Sequence, residues 1–210
     1  MANEEKHPDS EAQAYHHGRL KEALKTVALE IVQESGEKGL TFRELARRTG
    51  VTHTAPYAHY KNKDALLAAV AADGFRKLAD RMDQAAADLD PDPLVQLAAV
   101  AQGYLQFALE DAAYHEIVFG AEISVDRDDP ELRAADDEAF NFVRRLFVSA
   151  QEAGAIRDLP ADKLTMILWA SILGCAEALR MGVAQKRGIE DREELIHLLL
   201  DVMLGGLAPR

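Results

Sequence analysis

Between Thr41 and Lys63 the chain gathers polar side chains that suit one kind of chemistry, contact with a nucleic-acid duplex. Arg43, His53 and Thr54 are groups that meet base edges, Arg to guanine being the commonest specific contact. Tyr57 and Lys63 suit phosphate. The first carries a hydroxyl on a rigid ring, and the second stands at a helix start whose amides also face an anion. Thr41, Thr52, His59, Tyr60 and Lys61 complete the candidate interface, with either role open to Thr52 and His59. Catalysis finds little support. There is no plausible Ser/His/Asp or Cys/His set and no phosphate loop, so the expectation is a protein that is not an enzyme and needs no cofactor or metal. Asp126, Asp128 and Asp129 form an acidic loop without the glycine and distal Glu of a calcium site. The neighbours His16 and His17 cannot share a helix face, so they read as a capping or phosphate-near pair rather than as metal ligands.

These residues need elements to position them. Thr41 opens a helix, and Glu44 three residues on predicts a capping box. Leu45 and Ala46 supply its buried face, and Gly50 sits where the chain reverses. Thr52 is the expected cap of a second, short helix starting at about His53 or Thr54, with Pro56 in its first turn where no backbone donor is missed. Upstream, Leu20, Leu24, Val27, Ala28 and Ile31 form one apolar stripe and predict a helix over 19–34, ended by Gly36 and Gly39. Downstream, a long helix starts at an Asn62 cap and runs toward the Pro-rich turn at 90–93, with Leu66, Leu67, Val70, Phe75, Leu78 and Met82 recurring. Further helices are expected over 94–109, 112–119, 130–153, 161–185 and 192–204. No segment shows sustained period-two alternation and no repeat is evident, so the fold class is all-α, with about nine helices.

The run Tyr57-x-His59-Tyr60-x-Asn62-Lys63-x-x-Leu66-Leu67 closely resembles the signature that ends the DNA-binding domain of the tetracycline-repressor (TetR) family. The likeness extends upstream through Tyr15-His16-His17-Gly18-x-Leu20 and Leu40-Thr41-x-Arg43-Glu44-Leu45-Ala46, then Gly50-Val51-Thr52-His53-x-Ala55-Pro56-Tyr57. It is similar to a subgroup with Ala-Pro where most members have Thr-Leu, so one phosphate-contacting hydroxyl is absent. The stretch Trp169-Ala170-Ser171-x-x-Gly174 resembles the Trp-His-Gly motif of that subgroup's C-terminal domain, with Leu173 where the His is expected. The resemblance implies a polar tail at 1–15, a helix-turn-helix domain at 16–63, and an effector-binding and dimerisation domain at 64–210.

Charge agrees once it is divided. The 210-residue chain carries −12 overall, yet residues 16–63 hold nine Lys/Arg against five acids, a net +4 that leaves −16 on the rest. A basic head on an acidic body orients a molecule on a polyanion. The single Cys175 excludes an intrachain disulfide framework, the start is polar, and the uncharged run 164–176 is too short for a membrane span, which needs roughly 20 residues. A cytoplasmic protein with no membrane partner is expected.

The body must then supply a dimer surface and a ligand site. Leu164, Leu168 and Ile172 in one late helix, and Leu195, Leu198, Leu199 and Val202 in the last, are the candidate interface, although core and interface cannot be divided by sequence. Tyr104, Phe107, Tyr114, His115, Phe119, Phe140, Phe147, Trp169 and Cys175 are the pocket candidates, drawn from several helices as pockets in bundles are. The expected function is a homodimeric, sequence-specific transcriptional repressor that binds a palindromic operator in double-stranded DNA and is released by a small-molecule effector. The alternative is a small-molecule-binding helical protein whose head docks a protein partner.

Overall fold

The computed structural model describes residues 8–87, 89, 91–120, 123 and 125–208, with side chains from Arg19 onward. The side chains of His16 and His17, and the first seven residues, lie outside the described part. Among the described residues eight α-helices follow one another: α1 Pro8–Gly39, α2 Phe42–Thr49, α3 Lys63–Ala86, α4 Pro93–Glu110, α5 Ala112–Phe119, α6 Pro130–Glu152, α7 Ala161–Arg180 and α8 Arg192–Leu207. No strand occurs among the described residues.

The elements begin where the sequence supplies caps. Thr41 accepts from the Glu44 amide, Asn62 from the Ala65 amide, Asp92 from Leu94, Asp129 from Glu131 and Leu132, and Asp191 from Glu193 and Glu194. Pro93 and Pro130 occupy first helical positions, where a missing donor costs nothing. Three expectations are corrected. The first helix starts at Pro8, inside the stretch read as a polar tail, and Gly36 kinks it at φ 66° before it ends at Gly39. The second helix of the pair is a four-residue 3-10 turn, Ala55–Ala58, whose cap position is Thr54 rather than Thr52. The helix expected over 161–185 stops at Arg180, and a separate 3-10 turn, Gln185–Arg187, follows Gly182 in the left-handed region.

Helix α3 is the axis of the molecule. It packs against α4, α5 and α6 in the body and against α1 in the head. Its inward stripe, Leu66, Leu67, Val70, Phe75, Leu78 and Met82, is almost entirely removed from water. The approach of α4 to α3 depends on Gly103, since a Cβ there would lie 2.7 Å from the Arg81 carbonyl oxygen. Ion pairs brace the same axis: Lys25 of α1 to Asp73 at 2.6 Å, and Arg76 to Glu131 of α6 at 2.8 Å. None of the helices is long and apolar enough, over the described residues, to cross a membrane.

Candidate nucleic-acid interface and ligand cavity

The head is assembled from α1, α2, the 3-10 turn and the start of α3. Gly50 takes φ 70° and its amide returns to the Ala46 carbonyl, which reverses the chain after α2. The capping box forms by half: Thr41 caps the Glu44 amide, but the Glu44 carboxylate turns forward to Arg47 and Arg48. Hydrogen bonds from Arg47 and then Arg48 hold that carboxyl down at about 2. Arg48 also reaches Glu34 at 2.7 Å and so ties α2 to α1.

Arg43, Thr41, Thr52, His53, Thr54 and Tyr57 are all exposed along this stretch. Thr52 and Thr54 face each other, their hydroxyl oxygens 3.3 Å apart. Tyr57 is 62 % exposed, and its ring stands edge-on to Phe42 at 4.7 Å, so an outward hydroxyl sits on a braced ring. His59 is half-buried. Two expected cations are already engaged. Lys63 pairs with Glu37 at 2.6 Å, and Lys61 pairs across to Asp126 in the segment between α5 and α6 at 2.9 Å. Tyr60 is placed differently from expectation: it is 5 % exposed, its hydroxyl has no partner among the described residues, and burial pushes its pKa up. The Tyr-x-His-Tyr run thus alternates an outward ring with an inward one, which residue type alone does not reveal.

The acidic loop has structural work. Asp126 accepts from Lys61 and from the Asp128 amide, its own amide donates to the Asp64 carbonyl, and Asp129 caps α6. Among the described residues no group of three His, Cys, Asp or Glu could hold a metal ion.

In the body, aromatic residues from four helices converge. Trp169 of α7 stacks on Phe140 of α6 at 6.1 Å and meets Phe119 of α5 at 6.2 Å and Tyr104 of α4 at 5.9 Å. Beside them opens a cavity of about 340 Å³, lined by Phe75, Val118, Phe119, Phe140, Met166, Trp169 and Leu173, with Arg127 and Asp136 as its charged groups. Phe119, Phe140 and Trp169 are the expected pocket residues that line it. Tyr104 and His115 lie one ring behind, with His115 5.1 Å from Phe119 by ring centroids. Phe107 and Phe147 are fully buried core, Tyr114 lies under the Lys77 ammonium at 5.9 Å, and Cys175 is half-buried with its thiol pKa raised by burial.

Sequence reasoning missed Phe75, Met166, Arg127 and Asp136. Phe75 is indistinguishable from its neighbours in the α3 stripe, and the charged pair comes from a loop and a helix face that only the fold brings together. A second cleft of about 300 Å³ between α4 and α8 is lined instead by polar groups such as Gln102, Gln106, Glu110 and Glu193, and next to it Gln102 meets His197 at 2.6 Å.

The expected dimer surface divides in two. Leu164, Leu168 and Ile172 turn into the protomer's own core, at 4 % exposure or less. Leu195 and Leu199 are half-buried, whereas Leu198 and Val202 of α8 stand out at 59 % and 68 %, as does Ile167 of α7 at 54 %. Leu164, Leu168 and Ile172, spaced i, i+4 and i+8, form the α7 stripe that packing gives to the core, while Ile167, about 100° around the helix from Leu168, falls outside it.

Comparison with known proteins agrees with this arrangement. Residues 26–70 match the profile described as bacterial regulatory proteins, tetR family, and residues 97–203 match that of the tetracyclin repressor-like C-terminal domain. The tetracycline repressor protein class C of Escherichia coli is 51 % identical over 51 residues, 24 % of this chain and 23 % of that protein. An HTH-type transcriptional regulator of Mycobacterium bovis is 26 % identical over 117 residues, 50 % of this chain and 49 % of that protein. The chain thus spans from about a quarter to about half the length of these curated relatives. A solved structure from Rhodococcus sp. RHA1, of a protein with unknown function, superposes with a TM-score of 0.81 at 28 % identity, covering 94 % of this chain and all of the other. With one matched profile over the head and another over half of the whole chain, this chain belongs to the TetR family of bacterial regulatory proteins.

Proposed function

We propose that the protein is a sequence-specific, homodimeric DNA-binding repressor, with a head at 16–63 and a body at 64–210, that leaves a palindromic operator when a small molecule enters the body. The observation that carries the reading is the exposed row Arg43, Thr52, His53, Thr54 and Tyr57, held on a capped, Gly50-turned pair of elements with Tyr57 braced by Phe42. Tyr57 and, once released from Glu37, Lys63 hold the phosphate backbone, while Arg43 and His53 read base edges. The outward Leu198, Val202 and Ile167 form the two-fold surface, because two-fold readers need half-sites one helical turn apart. The Trp169 to Gly174 run supports the finer assignment to the Trp-His-Gly subgroup, with Leu173 on the cavity wall in place of a polar contact. The reading assigns no catalytic step, and a DNA-bound regulator works in the cytoplasm.

The test is binding of the full chain to duplex DNA against salt. Affinity should fall steeply as salt rises, and Tyr57→Phe and Lys63→Ala should weaken binding to every sequence about equally. Binding that ignores ionic strength would overturn the assignment.

A further inference from the structure

Buried polar atoms are ordinarily bonded, and the exceptions call for an explanation. Tyr104 Oη and His115 Nε2 are two such exceptions, and they occur side by side, on rings 6.2 Å apart and 2 % and 1 % exposed. The chemistry of their neighbours fixes what each lacks. Arg180 Nη1 lies 2.7 Å from His115 Nδ1, and a guanidinium only donates, so Nδ1 accepts and the ring proton stands on Nε2. Burial, reinforced by the Arg180 charge, holds the His115 pKa at about 4, so the ring is neutral near pH 7. At Tyr104 the adjacent Trp169 indole also only donates, which leaves the hydroxyl proton without an acceptor among the described residues. Two hydrogen-bond donors therefore share one apolar site and lack an acceptor.

One ring separates them from the cavity. Phe119 is 5.1 Å from His115 and 5.8 Å from Tyr104 by centroids, and it is itself part of the cavity wall with Trp169. A carboxylate offers two acceptor oxygens to two donors, and its bonds are charge-assisted. Of the carboxylates near His115, Glu116 is engaged with Arg180 at 3.0 Å, and Glu177 lies on the Nδ1 side, 3.5 Å from that atom and 3.9 Å from Arg180, so neither serves Nε2. Resting on the effector reading above, we infer that the cavity takes an apolar carboxylate, its body against Phe75, Phe140 and Trp169 and its carboxylate accepting from His115 Nε2–H and the Tyr104 hydroxyl after the Phe119 side chain swings aside. Phe119 closes α5, and six residues after Gly120 stands Asp126, which holds Lys61 and the Asp64 carbonyl. Arg127, the neighbour of Asp126, donates to the Val118 carbonyl at 3.1 Å, so displacing Phe119 disturbs a contact next to the residue that holds Lys61.

The probes are 4-phenylbutyrate, the neutral 4-phenylbutanol and the cationic 4-phenylbutylamine, titrated into the full chain and read by Trp169, the single tryptophan and a cavity wall. The carboxylate should bind at least about tenfold more tightly than either analogue. Tyr104→Phe should remove about tenfold of that preference without lowering the thermal midpoint, since the lost hydroxyl had no acceptor. His115→Leu should do the same to binding, and His115→Gln, which keeps an N–H donor, should restore part of it. An amine that matches the carboxylate, a Tyr104→Phe variant with the preference intact, or no response to any probe at millimolar concentration would each overturn the site. Salt-dependent duplex binding by the same preparations separates the two layers. A wild type that binds duplex but shows no carboxylate preference defeats this inference alone, whereas one that ignores duplex removes the regulator reading on which it stands.

Discussion

The stretch from Thr41 to Lys63 and the aromatic centre of the body treat their polar atoms in opposite ways. In the head several charges lie at or near the surface and are already paired: Glu44 with Arg47 and Arg48, Lys63 with Glu37, Lys61 with Asp126. A pair as exposed as that of Lys61 is worth only about 0.2–1 kcal/mol, so that lysine passes from a carboxylate to a phosphate at small cost. In the body, Tyr104 and His115 keep polar atoms buried and unserved. Each such atom carries a desolvation penalty of about 1–3 kcal/mol that only a bound acceptor recovers. The head is thus built to exchange partners and the body to acquire one. Recognition by the first should follow ionic strength, and recognition by the second should follow the chemistry of the ligand.

The largest expected effect separates the body's centre from its outer face. Leu198→Glu with Val202→Glu places two charges on positions that are 59 % and 68 % exposed in the protomer, so the fold should persist while the dimer is lost. Sedimentation should show a shift to monomer, with helical content and thermal unfolding little changed. A variant that stays dimeric would move the two-fold surface elsewhere.

Acid should distinguish the two regions next. The folded pKa of His115, about 4, lies below the ordinary 6.5, so the unfolded chain takes up the proton first. The stability contributed by the neutral ring is complete above pH 6.5 and is lost as pH falls toward 4, a loss of about 3 kcal/mol. Glu44 in the head runs later: its carboxyl is depressed from 4.5 to about 2, so its contribution survives until pH falls through that lower window. Urea unfolding should weaken between pH 6.5 and 4 in the wild type and less so in His115→Gln. Parallel losses in the two proteins would place the acid-sensitive group elsewhere.

Within the head, Arg43→Ala should cost about 1–3 kcal/mol of operator binding and relax preference at particular base pairs, because Arg43 is exposed and no partner of it is found among the described residues. Footprints of wild type and variant on a selected operator decide it. Uniform weakening over all sequences would recast Arg43 as a phosphate ligand.

The parts of the molecule legible in sequence are those set by local chemistry. Thr41, Gly50, Asn62 and the Asp-Pro starts of α4 and α6 are caps and turns whose mechanism needs only a few neighbours, and each helix boundary they mark falls within a residue or two of expectation. What stayed hidden depends on which side of a helix meets the rest of the fold. Tyr60 and Tyr57 look alike in the sequence, yet one is buried under α1 and α3 and the other exposed. Leu164 and Leu198 are both leucines on amphipathic helices, and only packing sends the first inward. Phe75 belongs to an ordinary stripe until α5, α6 and α7 bring Phe119, Phe140 and Trp169 beside it. The short Ala55–Ala58 turn is 3-10 because its bonds mostly span i to i+3, as from the Tyr57 amide to the Thr54 carbonyl and the His59 amide to the Pro56 carbonyl, a pattern that residue types alone do not set.

The smallest effect tests the joint between the two regions. Lys61 is a head cation whose partner, Asp126, belongs to the segment between α5 and α6, and the pair depresses the Asp126 carboxyl through its hydrogen bond to the ammonium. Because the Lys61 side chain is exposed, breaking the pair should change stability by under about 1 kcal/mol. Its consequence for DNA is of opposite sign to that of a lost phosphate ligand. Asp126→Asn releases Lys61 to a phosphate, so ligand-free affinity should rise a few-fold at low salt and the salt dependence should steepen by about one further counterion. Lys61→Gln should do the reverse, and the double variant should match Lys61→Gln if the aspartate acts only by occupying the lysine. If Asp126→Asn instead weakens DNA binding, the Asp126 side chain is a strut that orients the head through Lys61, and the joint favours the DNA-bound arrangement.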